Sequence, residues 1–260
     1  MQTMYAHIAG EVRELNLPPA HEEVLPGLPW GAIDELMTPA YWRSQAWQHT
    51  ASGEFCDFRL GRTLQEEVAA CLLGGWGMPA ELALAAYSRV RERDLLRAGT
   101  TAEELEEVLS EPFTFRGRAR KYRFIRQKAK YLSGCLERLN SFTPPDDDIQ
   151  FRDALVRLPG IGLKTASWIV RNLRPKSEVA ILDIHIIRVG QHLGLFPADW
   201  QPDTHYHELE ARFVEFARAI EVSAATLDGL MWDQMRQLSV IMRKSKGQES
   251  EQLDLFANTH

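Results

Sequence analysis

Lys164 stands two residues past Gly162 in LPGIGLKTASWIVRN (158–172), and Asp183 opens DIHIIRV nineteen positions further on. A glycine-lysine pairing suggests a phosphate-binding loop, but the nucleotide loop of that kind needs four residues between its glycines. Only Ile161 separates Gly160 from Gly162. Glycines this close suit a tight turn instead, with positive φ available and backbone N–H groups open to a near ligand. The next helix should begin at about Leu163, and its N-terminal amides and positive dipole end suit a phosphate. On that helix Ala166, Ile169, Val170 and Leu173 recur at core spacing, so Lys164, Trp168 and Arg171 should share the opposite face. The bland alternative is a solvated lysine beside an incidental tryptophan. Asp183 reads as the N-cap of the helix IHIIRVGQHL. It is either a cap alone or a cap whose oriented carboxylate, beside the dipole, can steady a developing sugar cation. His185 is a phosphate contact or a satisfied surface histidine.

The elements that must position these residues are helical. TLQEEVAACLL has Thr63 as N-cap with Glu66 three residues on, a capping box. PAELALAAYSRVRERDLL begins at Pro79, and TTAEELEEVLS opens on another cap with an acidic first turn. YRFIRQKAKYLSGCLERL, FRDALVRL, THYHELEARFVEFARAI and TLDGLMWDQMRQLSVIMRK continue the pattern, with NSFTPPDDDIQ as a turn-rich connector. Residues 1–62 look irregular or helical, rich in Pro and Trp, and packed on the rest. Residues 63–244 form the main domain, and 245–260 a polar, disordered tail. No strand pair is evident, and the fold class expected is all-α in two packed helical layers. The 260 residues are 45% apolar and 25% charged with net charge −6, which argues against a uniformly basic coat but not against local basic patches. Cys56, Cys71 and Cys135 lie far apart, so neither a zinc site nor an iron–sulfur cluster is expected. Sparse cysteine, no leader pattern and no long apolar run point to the cytoplasm.

A helix, an hGhG hairpin and a second helix form the helix-hairpin-helix clamp for DNA backbone. LPGIGLKTA followed by the aspartate of ILDIHIIRV resembles the helix-hairpin-helix DNA glycosylase superfamily. The lysine–aspartate spacing and the missing cluster cysteines are more similar to its 8-oxoguanine DNA glycosylase branch than to the endonuclease III branch. The resemblance runs from about residue 63 to 243. It implies two helical subdomains with the active site in the cleft between them. It puts the catalytic pair on Lys164 and Asp183, with no metal and no cofactor. It implies a lysine attack on C1′ of a flipped nucleotide, base release, a Schiff base and strand nicking. Gly160, Gly162, Thr165 and His185 would hold the backbone. WDQMRQLSVIMR resembles the branch's base-pocket helix and adds Trp232, Gln234 and Ser239. Two positions depart. Leu238 stands where an aromatic would stack on the base, and Trp168 where a small residue is expected; Trp168 then offers a stacking face from the other side. These departures leave the excised base open between an oxidised purine and another modified base, such as a bulky cytosine in phage DNA.

FRGRARKYRFIRQKAK (115–130) carries Arg116, Arg118, Arg120, Lys121, Arg123, Arg126, Lys128 and Lys130 without an acid. It reads as a DNA-facing stripe. Phe115, Tyr122 and Phe124 within it are core anchors or a wedge for the gap left by a flipped base, with the core favoured. In the tail, QLDLF resembles the peptide that docks on the bacterial sliding clamp, through Gln252, Leu253, Leu255 and Phe256. The expected partners are therefore duplex DNA and a bacterial clamp, with no membrane, for a monomer working at the nucleoid. The rival of another class is a non-catalytic DNA-binding module, which would need neither Lys164 nor Asp183.

Overall fold

The computed structural model describes residues 1–8, 10–51, 58–75, 77–115 and 117–245, with side chains described as far as 238. Arg116 and the four clamp-peptide residues Gln252, Leu253, Leu255 and Phe256 lie outside the described residues, as does the side chain of Ser239.

The chain opens with strands β1 (Gln2–Ile8) and β2 (Glu11–Leu17), then β3 (Glu23–Leu25), β4 (Leu28–Pro29) and helix α1 (Pro39–Ala51). Helices α2 (Leu64–Leu73), α3 (Ala80–Glu92) and α4 (Ala102–Ser110) follow, then β5 (Phe113–Phe115) and β6 (Arg118–Arg120). The remainder is α5 (Ile125–Leu139), α6 (Asp148–Val156), α7 (Leu163–Leu173), α8 (Ile184–His192), α9 (Pro202–Ala219) and α10 (Ala224–Ser245). Helices dominate, so the class is all-α. Strand pairing is present nonetheless: β1–β2, β3–β4 and β5–β6 are antiparallel two-stranded pairs. The start of the N-terminal segment is thus a hairpin in register Gln2↔Leu17 to Ile8↔Glu11, not the irregular or helical chain expected. Its alternation was masked because the outward face mixes Tyr5 and Val12 with polar residues, and the inner face is partly polar too.

Two compact units divide the chain. One comprises residues 57–177, the other residues 1–56 with 178–260. In the first, α2 packs on α3, α5 and α7, and α7 on α6. Its core holds Leu72, Leu73, Leu105, Leu109, Leu132, Leu136 and Leu155 at 2% exposure or less. In the second, α10 packs on α1, α8 and α9, around Trp42, Phe213 and Phe216. Of the two described cysteines, Cys71 and Cys135 are both buried and unpaired, and burial pushes the Cys135 thiol up to about 12. Among the described residues, no helix is long and apolar enough to cross a membrane.

Local signals set most helix starts. Thr101 forms a complete capping box with Glu104. At α2 the box is displaced by one residue. Thr63 accepts from the Glu66 amide, but the Glu66 carboxylate accepts from Arg62 N–H at 2.6 Å. The connector before α6 is shorter than its composition suggests, because Asp147 caps a helix that already begins at Asp148.

Candidate active site

The hairpin between α6 and α7 is a turn in which Ile161 N–H donates to Leu158 C=O at 3.2 Å. Gly160 there has φ +72, and a β-carbon at that position would stand 2.2 Å from the Tyr131 ring. The site thus demands glycine twice, for its backbone and for its neighbour. Helix α5 supplies the support: besides Tyr131, Cys135 Sγ lies 3.3 Å from Pro159 O, and Arg138 donates to Arg157 O at 2.8 Å. Gly162 ends the turn in extended backbone (φ −94, ψ 175) and forms the N-cap of α7 without a side-chain cap. Nothing lies within 4 Å of where its β-carbon would be. The first amides of α7 therefore open from an uncapped helix start.

Lys164 is exposed in the first turn of α7, with Thr165 half-buried beside it. Trp168, one turn along, is half-buried, and a β-carbon on Gly74 would come within 3.3 Å of its ring. The face shared by Lys164 and Trp168 does not extend to Arg171. Arg171 is 8% exposed, its guanidinium 4.1 Å from the Phe58 ring centre. Segment 58–62 covers that end of the helix, which a helical wheel cannot foresee. The adjoining Asn172 donates to the buried Glu67 carboxylate at 2.6 Å, and Glu67 also accepts the amides of Leu60 and Gly61. Helix α7 is thus tied to α2 at its far end while its first turn stays open.

Asp183 lies in the other unit, at the start of α8. Its Oδ1 accepts the amides of His185 (2.8 Å) and Ile186 (3.0 Å), which holds the carboxylate in one orientation. Asp183 and His185 are both half-buried. On α10, Trp232 is 39% exposed with the Arg236 guanidinium 4.9 Å from its ring centre. Gln234 accepts from Tyr41 OH at 2.7 Å and donates to Gln45 at 2.9 Å, so both ends of its amide engage α1. Leu238 is half-buried.

The basic run divides in two. Arg118, Arg120, Lys121 and Arg123 are exposed on and after the β5–β6 hairpin. The rest of the stripe does not all face outward, as its composition suggested. Arg126 pairs with Glu106 of the acidic helix α4 at 3.0 Å. Lys128 turns inward, donating to Leu72 O (2.6 Å) and Gly74 O (3.1 Å) at the C-terminus of α2, where its charge suits the helix dipole. Burial lowers the Lys128 ammonium below the usual lysine range. Tyr122 is buried and donates to Leu73 O at 2.5 Å, and Arg123 reaches Gly77 O at 3.2 Å. These three side chains fix the loop that abuts Trp168. Phe124 departs from the expected core role. It is 46% exposed with φ +59, a left-handed conformation uncommon for an aromatic residue. That exposure was invisible in sequence, since the flanking residues alternate in no regular way. Among the described residues, no group of three or more His, Cys, Asp or Glu is placed to hold a metal ion.

Residues 54–222 match the sequence model described as 8-oxoguanine DNA glycosylase. The chain is 31% identical over 123 residues to the 8-oxoguanine DNA glycosylase/AP lyase of Metallosphaera sedula, across 43% of this chain and 57% of that protein. The match therefore spans little more than half the length of that relative. The crystal structure of the Thermotoga maritima 8-oxoguanine DNA glycosylase is similar at TM-score 0.52 and 26% identity, over 65% of this chain and 77% of that one. The Methanocaldococcus jannaschii 8-oxoguanine DNA glycosylase shares the fold at TM-score 0.56 and 22% identity, over 75% and 91%. Since the matched residues include both the turn before Lys164 and the helix start formed by Asp183, the chain belongs to the 8-oxoguanine DNA glycosylase family.

Proposed function

We propose that this protein removes a damaged or modified base from duplex DNA and then nicks the strand, with Lys164 as nucleophile and Asp183 as its electrostatic partner. An oxidised purine such as 8-oxoguanine is the substrate class favoured by the family. The observation that carries this reading is an exposed amine in the first turn of an uncapped helix, directly after a glycine-built turn. A helix start of that kind accepts a phosphate, and a lysine beside it lies next to the adjoining sugar. The oriented Asp183 carboxylate adds the charge that a developing sugar cation requires.

In this mechanism the target nucleotide leaves the stack, at a cost of roughly a few kcal/mol. Lys164 attacks C1′ as the amine, the proton it gives up passing to the departing base, which leaves with the electron pair of the glycosidic bond. Sugar ring opening gives a Schiff base. Loss of a C2′ proton then expels the 3′ phosphate by β-elimination. Phe124, exposed in strained backbone beside Arg123, is our assignment for the side chain that fills the vacated stack. Arg118, Arg120, Lys121 and Arg123 supply the sequence-independent phosphate term. Borohydride trapping on duplexes that each carry one damaged or modified base tests the reading. The wild-type protein should form a covalent adduct with at least one duplex and Lys164→Gln with none. An adduct formed by Lys164→Gln at the wild-type rate removes Lys164 as nucleophile, and no adduct with any duplex favours a non-catalytic clamp.

We further infer, from sequence alone, that Gln252, Leu253, Leu255 and Phe256 dock on a bacterial sliding clamp, which would place the protein at the nucleoid. Tethering raises the enzyme's effective concentration on DNA. A peptide of residues 246–260 should bind such a clamp with Kd on the order of micromolar; no binding at high micromolar concentration removes the idea.

A further inference from the structure

The chain entering Asp183 is buried without a strand to pair with. Val179, Ala180 and Leu182 are 0%, 0% and 2% exposed, and residues 178–183 belong to no helix or strand. Buried backbone of this kind must find partners for its N–H and C=O groups. At Ala180 both come from side chains of one helix. The Ala180 amide donates to Glu210 Oε1 at 3.0 Å, and its carbonyl accepts from Tyr206 OH at 2.7 Å. Residues 206 and 210 are four apart on α9 and share a face. Together they do for one residue what a neighbouring strand does for a whole segment.

Burying Glu210 to 4% exposure is costly for a carboxylate. An apolar residue would fill the same volume at lower cost if packing were the only requirement. The acid therefore has a use, and the backbone it holds leads directly to the site. Three residues after the pinned Ala180, Asp183 N–H donates to Ile181 O at 2.7 Å, closing a tight turn. The Asp183 carboxylate then takes the His185 and Ile186 amides. Asp183 is thus held from behind by α8 and from in front by α9, through Ala180.

We propose that Glu210 and Tyr206 are positioning residues for Asp183: by gripping both polar groups of Ala180 they set where the capping carboxylate stands. The proposal rests on Asp183 acting in the reaction as described above. The experiment compares Glu210→Ala, Glu210→Gln and Tyr206→Phe, in the wild-type and Asp183→Asn backgrounds. It measures single-turnover base excision, affinity for undamaged duplex, and amide exchange at residues 180, 185 and 186.

Glu210→Ala should slow excision about tenfold or more, since small misplacements of a reacting group carry penalties of this order. Affinity for undamaged duplex should be unchanged, and the amides of Ala180, His185 and Ile186 should lose protection. Glu210→Gln should recover most of the rate, because its carbonyl oxygen accepts the same amide. Tyr206→Phe should show a smaller loss. In the Asp183→Asn background, Glu210→Ala should have little further effect, because the group it positions is already disabled. An equal fractional loss in both backgrounds overturns the proposal, as does a lowered melting temperature with an unchanged excision rate. Should Glu210→Ala fail to fold, Tyr206→Phe carries the same comparisons. If the wild-type protein excises no base from any duplex, the functional reading falls by itself. The exchange data still judge the pin, and unchanged protection of Asp183-capped amides in the variant overturns it.

Discussion

Two helices begin next to the residues assigned to the chemistry, and they begin in opposite ways. Helix α7 starts from Gly162 with no side-chain cap and open space around it. Helix α8 starts from Asp183, whose carboxylate occupies its first amides. Both starts carry the same partial positive charge. In α8 that charge is spent on orienting an internal anion; in α7 it stays available to one from outside. A helix N-terminus can therefore fix a protein group or receive a ligand, and a single residue at the cap decides which.

The most severe test of this contrast is Asp183→Asn. Asparagine caps helices about as well as aspartate, so the start of α8 stays closed and the melting temperature should hardly change. The charge is lost, and single-turnover excision should fall by roughly 10²–10³-fold, the range for removing an aimed electrostatic group. A variant that keeps its rate would reduce Asp183 to a cap. Trp168→Ala comes next, one turn into the open helix. Loss of a stacking platform should lower kcat/KM on lesion DNA by roughly 1–3 kcal/mol. A large drop in melting temperature with unaltered kinetics would make Trp168 a core residue resting on Gly74.

Reversing Arg120 and Lys121 to Glu asks whether the open helix start grips phosphate alone. Damaged and undamaged duplexes should weaken alike, and the log–log salt slope should flatten by about 0.9 for each phosphate that is no longer neutralised. Selective weakening of the lesion duplex would contradict a purely positional role. The smallest effect is expected from Gly162→Asp, which gives α7 the kind of start that α8 has. The backbone at 162 is extended and the space is free, so the fold accepts the change. Stability should shift by only a few tenths of a kcal/mol, while DNA affinity falls by the share that a single phosphate supplies. Unchanged affinity would mean that the open amides receive nothing.

Much of this contrast was legible in the sequence, because capping and turn chemistry are local. The glycines of PGIG, the helix start at Leu163 and the cap at Asp183 all depend on residues within a few positions of one another. What escaped was set by partners far away in the chain. Arg171 shares a helical face with Lys164 by periodicity, yet Phe58 covers it. Lys128 and Arg126 belong to one basic run, yet one caps α2 and the other meets Glu106. The same limit hid Glu210, which reaches the backbone of residue 180; the β1–β2 hairpin escaped for a local reason, an outer face that mixes apolar and polar residues.

The turn at Gly160 has a consequence for how this protein can vary. Two independent locks hold that position: a left-handed backbone, which any side chain would strain, and the Tyr131 ring, with which any β-carbon would collide. Shrinking Tyr131 opens the second lock and leaves the first. Relaxing the backbone opens the first and leaves the second. No single substitution at 160 clears both locks, so selection from a saturation library at 160 should return glycine alone in the wild-type background; in a Tyr131→Ala parent only residues that tolerate a left-handed backbone, Asn and Asp foremost, should join it.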